Sequence, residues 1–225
     1  AELATALSRG NTETFLASTN ARLGWAFAER WFSETRASAL YEESFELNTA
    51  NKWSVFERVD RFVSERFSGF AGVGIERDPF SALDYRYSAL LGVGFLAVED
   101  LEPDGDDALV RNKLAFELGA YAARETFVLP PNAAADAVLD EDARDVLAAR
   151  AAASYQHAFR KGTSAGVDVE AIQDFVDTAN FVVNDSVWLA AAVTDGIALK
   201  VTFTHRFDAL PASAEVEKND VLLTT

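Results

Sequence analysis

Cysteine and methionine are both missing from this 225-residue chain. Without cysteine there can be no disulfide, no thiolate nucleophile and no Cys-ligated metal. Without methionine there is no initiator. The chain opens AELATALSRG, which has neither a basic stretch nor an apolar core, so a leader removed before residue 1 is expected. Long apolar runs are lacking too. No run reaches the roughly 18 uncharged residues that a spanning helix needs. The best candidate, YSALLGVGFLAV at 87–98, is short and holds two glycines. Basic residues are scarce, with 20 Lys and Arg against 36 Asp and Glu and a net charge of −16. That balance repels phosphate and argues against nucleic acid. It also disfavours a peripheral grip on anionic lipid. A solvated acidic surface is the simplest account of it.

What the chain does have is apolar side chains in alternation. Hydrophobic residues make up 49% and aromatics 12%, and they recur at period two rather than 3.6. In IALKVTFTHRF (197–207), Ile197, Leu199, Val201, Phe203 and Phe207 share one face, and Lys200, Thr202, Thr204 and Arg206 share the other. Residues 15–27 and 147–160 repeat the pattern. Twelve strands are expected, at 2–9, 12–28, 31–45, 49–63, 67–80, 83–99, 109–127, 146–160, 163–177, 180–194, 197–209 and 220–225. Tight connections at 28–31, 64–67, 160–163 and 194–197, with a longer member of the same set at 100–108, alternate with an opposite set. That opposite set includes long polar links at 42–50, 128–145 and 209–219. Many of the runs exceed the five or six residues of ordinary strands. Short turns on one rim, long loops on the other and an even strand count together predict an all-β fold. It is an up-and-down antiparallel transmembrane β-barrel of about 12 strands, forming one domain over residues 1–225. A closed barrel satisfies every backbone amide in hydrocarbon.

Strand parity then sorts the charges. In IERDPFSALDYRYSALLGVGF (75–95), Glu76, Asp78, Asp84 and Arg86 are expected inside, near the long-loop rim. Further lumen-lining charges are Arg36, Arg58, Asp60, Lys113, Glu117, Arg150, Asp168, Glu170 and Lys200, with Glu34, Glu125 and Arg206 on the same parity. Mixed signs suggest ion pairs in a watery lumen. They either fill and brace a narrow barrel or select small ions or polar solutes. Trp25, Phe27, Trp31, Tyr85, Tyr87 and Phe207 are expected at the membrane interfaces.

The order GNT (10–12), ASALYEESFELNTANKWSVFERVDRFVSERF (37–67) and GVGIERDPFSALDYRYSALLGVGF (72–95) resembles the salt-induced outer-membrane protein family of Gram-negative bacteria. ERDPFSALDYRYSALLGVGF is the best match, and ALKVTFTHRFDALPASAEVEKNDVLLTT (198–225) matches the end of the domain. The resemblance implies an outer-membrane barrel with a cleaved leader and brings no catalytic residues. Members of that family end on a terminal aromatic. Here the chain stops at Thr225, so a short or truncated closing strand is expected.

Other chemistry is weighed against this frame. His157 and His205 lie near strand ends on the lipid-facing parity. A lipid-modifying enzyme would need a serine and a carboxylate at one of them; Ser154 or Ser164 could lie near His157, but no spacing compels it. No catalytic residue, cofactor or metal is expected. The loop VLDEDARD (139–146) lacks the ligand spacing of a calcium loop. Its Asp140, Glu141, Asp142 and Asp145 could share divalent ions with lipopolysaccharide. The partners expected are therefore the lipid bilayer, lipopolysaccharide, and small ions or polar solutes. Three functions compete: a narrow pore, a structural barrel with a plugged lumen, and an outer-membrane enzyme.

Overall fold

A computed structural model of the chain describes residues 2–8, 14–44, 47–104, 107–131, 133, 137–139, 141–194, 197–210 and 218–224. The GNT at 10–12, Asp140 and Thr225 lie outside the described residues. Twelve strands follow in chain order: β1 (Glu2–Ser8), β2 (Thr14–Ala28), β3 (Trp31–Ser44), β4 (Leu47–Phe62), β5 (Phe67–Asp78), β6 (Leu83–Asp104), β7 (Asp107–Phe127), β8 (Ala143–Arg160), β9 (Thr163–Asp174), β10 (Phe181–Thr194), β11 (Ile197–Asp208) and β12 (Asn219–Thr224). They form one antiparallel up-and-down sheet whose spatial order is the chain order. The pairings between described residues run from β1 to β12 without joining those two strands. There is no α-helix among the described residues, only a 3-10 turn at Pro79–Ser81.

The sheet is sheared and curled. One row of partners starts at Trp31, near the tight-turn end of β3. It passes through Arg61, Gly69, Val93, Leu118, Ala151, Ala171 and Val183 to Phe207, near the loop end of β11. Such stagger accompanies the strand tilt of a sheet that rolls up. The curl brings Arg206 on β11 to 4.0 Å from Glu76 on β5.

Alternation gives the two faces opposite characters, as it must when successive side chains point opposite ways. The outer face carries exposed large apolar residues, among them Leu23, Val73, Leu91, Leu118 and Leu189. The inner face carries ion pairs and a few rings. Glycines make room for those rings. A Cβ on Gly92 would stand 2.5 Å from the Leu118 carbonyl oxygen and 2.5 Å from the Phe70 ring. Arg58 lies 4.0 Å over that ring.

Two expected loops are strand instead. The 100–108 stretch is a hairpin paired as far as Asp104 with Asp107, with register shifts at Leu96/Val98 and Asp100/Leu101. Its Pro103 and acidic residues read as loop, but an outlying hairpin with bulges accommodates both. Beyond Phe95 the strand β6 has no β5 residue in register, and beyond Asn112 β7 has none from β8, so this arm projects past its neighbours. Arg111 ties its base down. Its guanidinium donates to the carbonyl oxygens of Ala158 (3.0 Å) and Phe159 (2.7 Å) and to Glu102 (2.9 Å). The Arg111 hydrogen bond holds the Glu102 carboxyl below the usual carboxylate range. The second correction is at 42–50, where β3 and β4 pair as far as Ser44 with Leu47 and leave only 45–46 between them. Its polar run lies on the paired ends of two strands rather than on a long loop.

Candidate functional site: a charged chamber inside the sheet

Inward-facing residues from β3 to β12 enclose a chamber of about 500 Å³ in the loop-side half of the curled sheet. Its walls hold seven cationic side chains (Arg36, Lys52, Arg58, Arg86, Arg144, Arg150, Arg206) and six carboxylates (Glu76, Glu125, Glu170, Asp174, Asp208, Asp220). Leu90, Val146, Ile172, Val182 and Leu222 supply apolar wall between them.

The charges form two linked groups. In the deeper one, Arg58 on β4 contacts Asp60 on its own strand (2.8 Å) and Glu117 on β7 (2.7 Å). Strands β5 and β6 lie between β4 and β7, so the second contact is a chord across the interior. Arg150 on β8 completes this group, donating to Glu117 (2.8 Å) and to Glu170. Asn184 donates to the other oxygen of Glu170 at 2.8 Å. Nearer the loops, Arg86 donates to Glu76 (2.9 Å) and Glu125 (2.7 Å). Arg144 donates to Glu125 (2.9 Å) and to the carbonyl oxygen of Leu210 (3.1 Å), which ties β8 to the segment after β11. Charge-assisted bonds of this length are about twice as strong as neutral ones. No buried side-chain donor or acceptor among the described residues is left without a partner.

Several charges expected on the lumen fall within this network: Arg58, Asp60, Glu76, Asp78, Arg86, Glu117, Arg150 and Glu170, while Arg36 lines the chamber and pairs with Glu34. Asp78 turns back to cap the 3-10 turn, accepting from the Ser81 amide (3.3 Å) and hydroxyl (2.9 Å), and stands 3.3 Å from Lys52. Three others share the inner face but sit toward the tight-turn end. Lys113 lies 3.7 Å from Glu99, Asp168 accepts from the Trp188 indole at 3.1 Å, and Lys200 lies over the Trp188 ring. Asp84 departs from its expected direction. The register skips it between Leu83 and Tyr85, and its carboxylate meets Arg77 at 3.3 Å. Arg77 itself lies over the Tyr85 ring on the outer face. A bulge shifts parity locally, which no period-two reading anticipates. Lys52 and Arg144 were not singled out from the sequence. Lys52 shares the even parity of Arg58 and Asp60, so the same rule reveals it. Arg144 lies on β8 ahead of the expected start at 146, because the strand begins at Ala143.

The aromatic positions group at the two ends of the outer face. Trp25, Phe27 and Trp31 lie near the tight turns, with Phe27 and Trp31 in ring contact. Tyr85 and Tyr87 stack near the loop end, with Trp53 edge-on to Tyr85. Phe207 ends the row that crosses the sheet.

Each histidine faces outward with a polar partner. His157 Nδ1 is 2.8 Å from Asn112 Oδ1, and Ser154 and Ser164 lie on the other face by register. His205 Nδ1 is 2.8 Å from Asp185, and its Nε2 is 3.2 Å from Asn219. In the acidic loop, Asp145 pairs with Arg124 at 2.6 Å and Glu141 lies 3.5 Å from Arg144. No group of three or more metal-binding side chains converges among the described residues.

One outer-face residue stands apart. Glu57 occupies the middle of the β4 face Trp53, Val55, Glu57, Val59, Arg61, in register with Leu23, Thr35 and Val73. Leu23 is 63% exposed and Val73 60%, so this row belongs to the apolar band. The hydroxyls of Ser33 and Thr35 donate to its two carboxylate oxygens.

The family profile described as "Protein of unknown function, DUF481" matches residues 1–225. Among curated proteins and among solved structures, none matches this chain. With the profile matched from end to end, the chain belongs to the DUF481 family of proteins of unknown function.

Proposed function

We propose that this chain is a β-barrel of the Gram-negative outer membrane whose lumen is braced from within by charge. Its loops would face outward and its tight turns the periplasm. Support for the membrane comes from strands of 12 to 22 residues in the β2–β11 region, a continuous exposed apolar band and aromatic rings at both ends of that band. The resemblance to salt-induced outer-membrane proteins points the same way.

The observation that carries the braced reading is the Arg58–Glu117 chord, continued by Arg150 to Glu170. A wide pore keeps its charges on the wall, whereas here they meet across the interior. Such a barrel is a structural element of the membrane and a barrier to free ion flow. A second reading, a narrow conduit for small polar solutes, is favoured by the 500 Å³ chamber.

Planar-bilayer recording tests both readings. The unaltered protein should insert and stay silent or pass only small, brief currents. Arg58→Gln with Glu117→Gln and Asp60→Asn removes both ends of the chord together with the buried carboxylate that Arg58 holds, and should raise conductance. Large steady steps from the unaltered protein would refute the brace.

A further inference from the structure

Acidic residues outnumber basic ones 36 to 20 overall, and the described residues that line the chamber include seven cations beside six carboxylates. Three of those cations meet at one place. Lys52 Nζ is 3.4 Å and Arg206 Nη1 is 4.0 Å from the same Oε1 of Glu76, while Arg86 holds its Oε2 at 2.9 Å. Three cations therefore converge on one carboxylate.

Two of the three are loosely held. Lys52 has Asp78 at 3.3 Å and Arg206 has Asp208 at 3.6 Å as their other contacts. All four distances exceed the roughly 2.7–2.9 Å of a charge-assisted hydrogen bond. Arg86, by contrast, makes two tight bonds. An ammonium has three donors and a guanidinium five, and Lys52 and Arg206 both line the chamber with side chains 31% and 27% exposed, so they keep donors that these contacts do not use.

We propose that the chamber is a binding site for a small oxyanion, a carboxylate or phosphate group, held between Lys52 and Arg206. Arg86 and Glu76 set the position of that pair and are already satisfied. The volume admits a small organic solute, within the range of ordinary ligand pockets. Leu90, Ile172 and Leu222 give its carbon skeleton an apolar wall. The inference concerns the chamber and stands under either reading of the lumen.

Calorimetric titration of the protein folded in detergent micelles, with inorganic phosphate and then with citrate, tests it. Saturable one-site binding of at least one of them is expected. Lys52→Gln and Arg206→Gln should each weaken it by about tenfold or more, the loss of one charged hydrogen bond. Lys52→Arg, which keeps the charge, should retain most of it. Arg124→Gln, on the outer face, should leave it unchanged. No saturable binding of either probe, or equal weakening by Arg124→Gln, overturns the proposal. Bilayer recording separates this from the reading of the lumen. Binding without conductance supports the anion site in a closed barrel. Conductance with cation preference and no binding overturns the anion site and leaves the conduit standing.

Discussion

Replacing Glu57 by leucine reports on the solvent around the outer face, because its effect changes sign with that solvent. Glu57 sits mid-strand among Leu23, Val55, Val59 and Val73, with the Ser33 and Thr35 hydroxyls bonded to its carboxylate. In a bilayer, a carboxylate at this depth costs up to about 2 kcal/mol, less than the cost of Arg or Lys. A leucine there gains about 2 kcal/mol from contact with hydrocarbon. Against these stand two hydroxyls that lose their acceptor, at about 1 kcal/mol or more each. The Ser33 cost is at the low end, because its hydroxyl also reaches the Arg58 carbonyl oxygen at 3.2 Å. The balance is a gain of about 1–2 kcal/mol. In water the first two gains vanish and only the lost hydrogen bonds remain, so the same variant is weaker by about 2 kcal/mol. Urea titration of folding into lipid vesicles, followed by tryptophan fluorescence, measures the difference. A Glu57→Leu variant less stable than the unaltered protein in vesicles would falsify the assignment of this face to lipid.

Further outcomes follow from the inner face and the arm. Gly92→Ala drives a Cβ against the Leu118 carbonyl and the Phe70 ring, whereas Gly69→Ala meets only one atom, at 3.9 Å. The first should cost about 1–3 kcal/mol by urea unfolding and the second under half of that, as overpacking predicts. Equal effects would refute the close-packed inner wall. Arg111→Ala removes the ties at the base of the β6–β7 arm, so hydrogen exchange at 101–104 and 107–110 should speed up while the paired rows at 114–122 keep their rate. The Glu102–Arg111 bond should persist at neutral pH and weaken as pH falls through the lowered Glu102 pKa. Acidification alone should therefore loosen the same amides in the unaltered protein, and no change at those amides would refute the brace.

The strands were legible because the apolar face repeats every second residue, and the two-faced reading of 197–207 matches the register of β11 with β10. Inward charge was legible by the same parity at Arg58, Glu76, Arg86, Glu117, Arg150 and Glu170. Parity carries no information across a bulge, and Asp84 sits at one. Composition misleads at 100–108 and 42–50, where proline, asparagine and acidic residues stand on paired strand ends. Glu57 breaks the apolar alternation of β4 in plain view, but its meaning depends on Ser33 and Thr35 standing beside it on β3. Which cations converge on Glu76 depends on the curl of the sheet, since Lys52 and Arg206 are far apart in sequence and lie on β4 and β11. Single-strand periodicity does not encode that closeness.

Charge segregation gives the molecule two responses to ionic strength. Exposed pairs such as Arg111–Glu102 and Arg124–Asp145 stand outside the chamber, where counterions can enter freely. At about 1 M salt the screening length falls to about 3 Å, so their attraction is largely screened. The interior pairs at 2.7–2.9 Å are already shorter than that length and exclude the intervening ions. Salt thus relaxes the shell and leaves the skeleton alone.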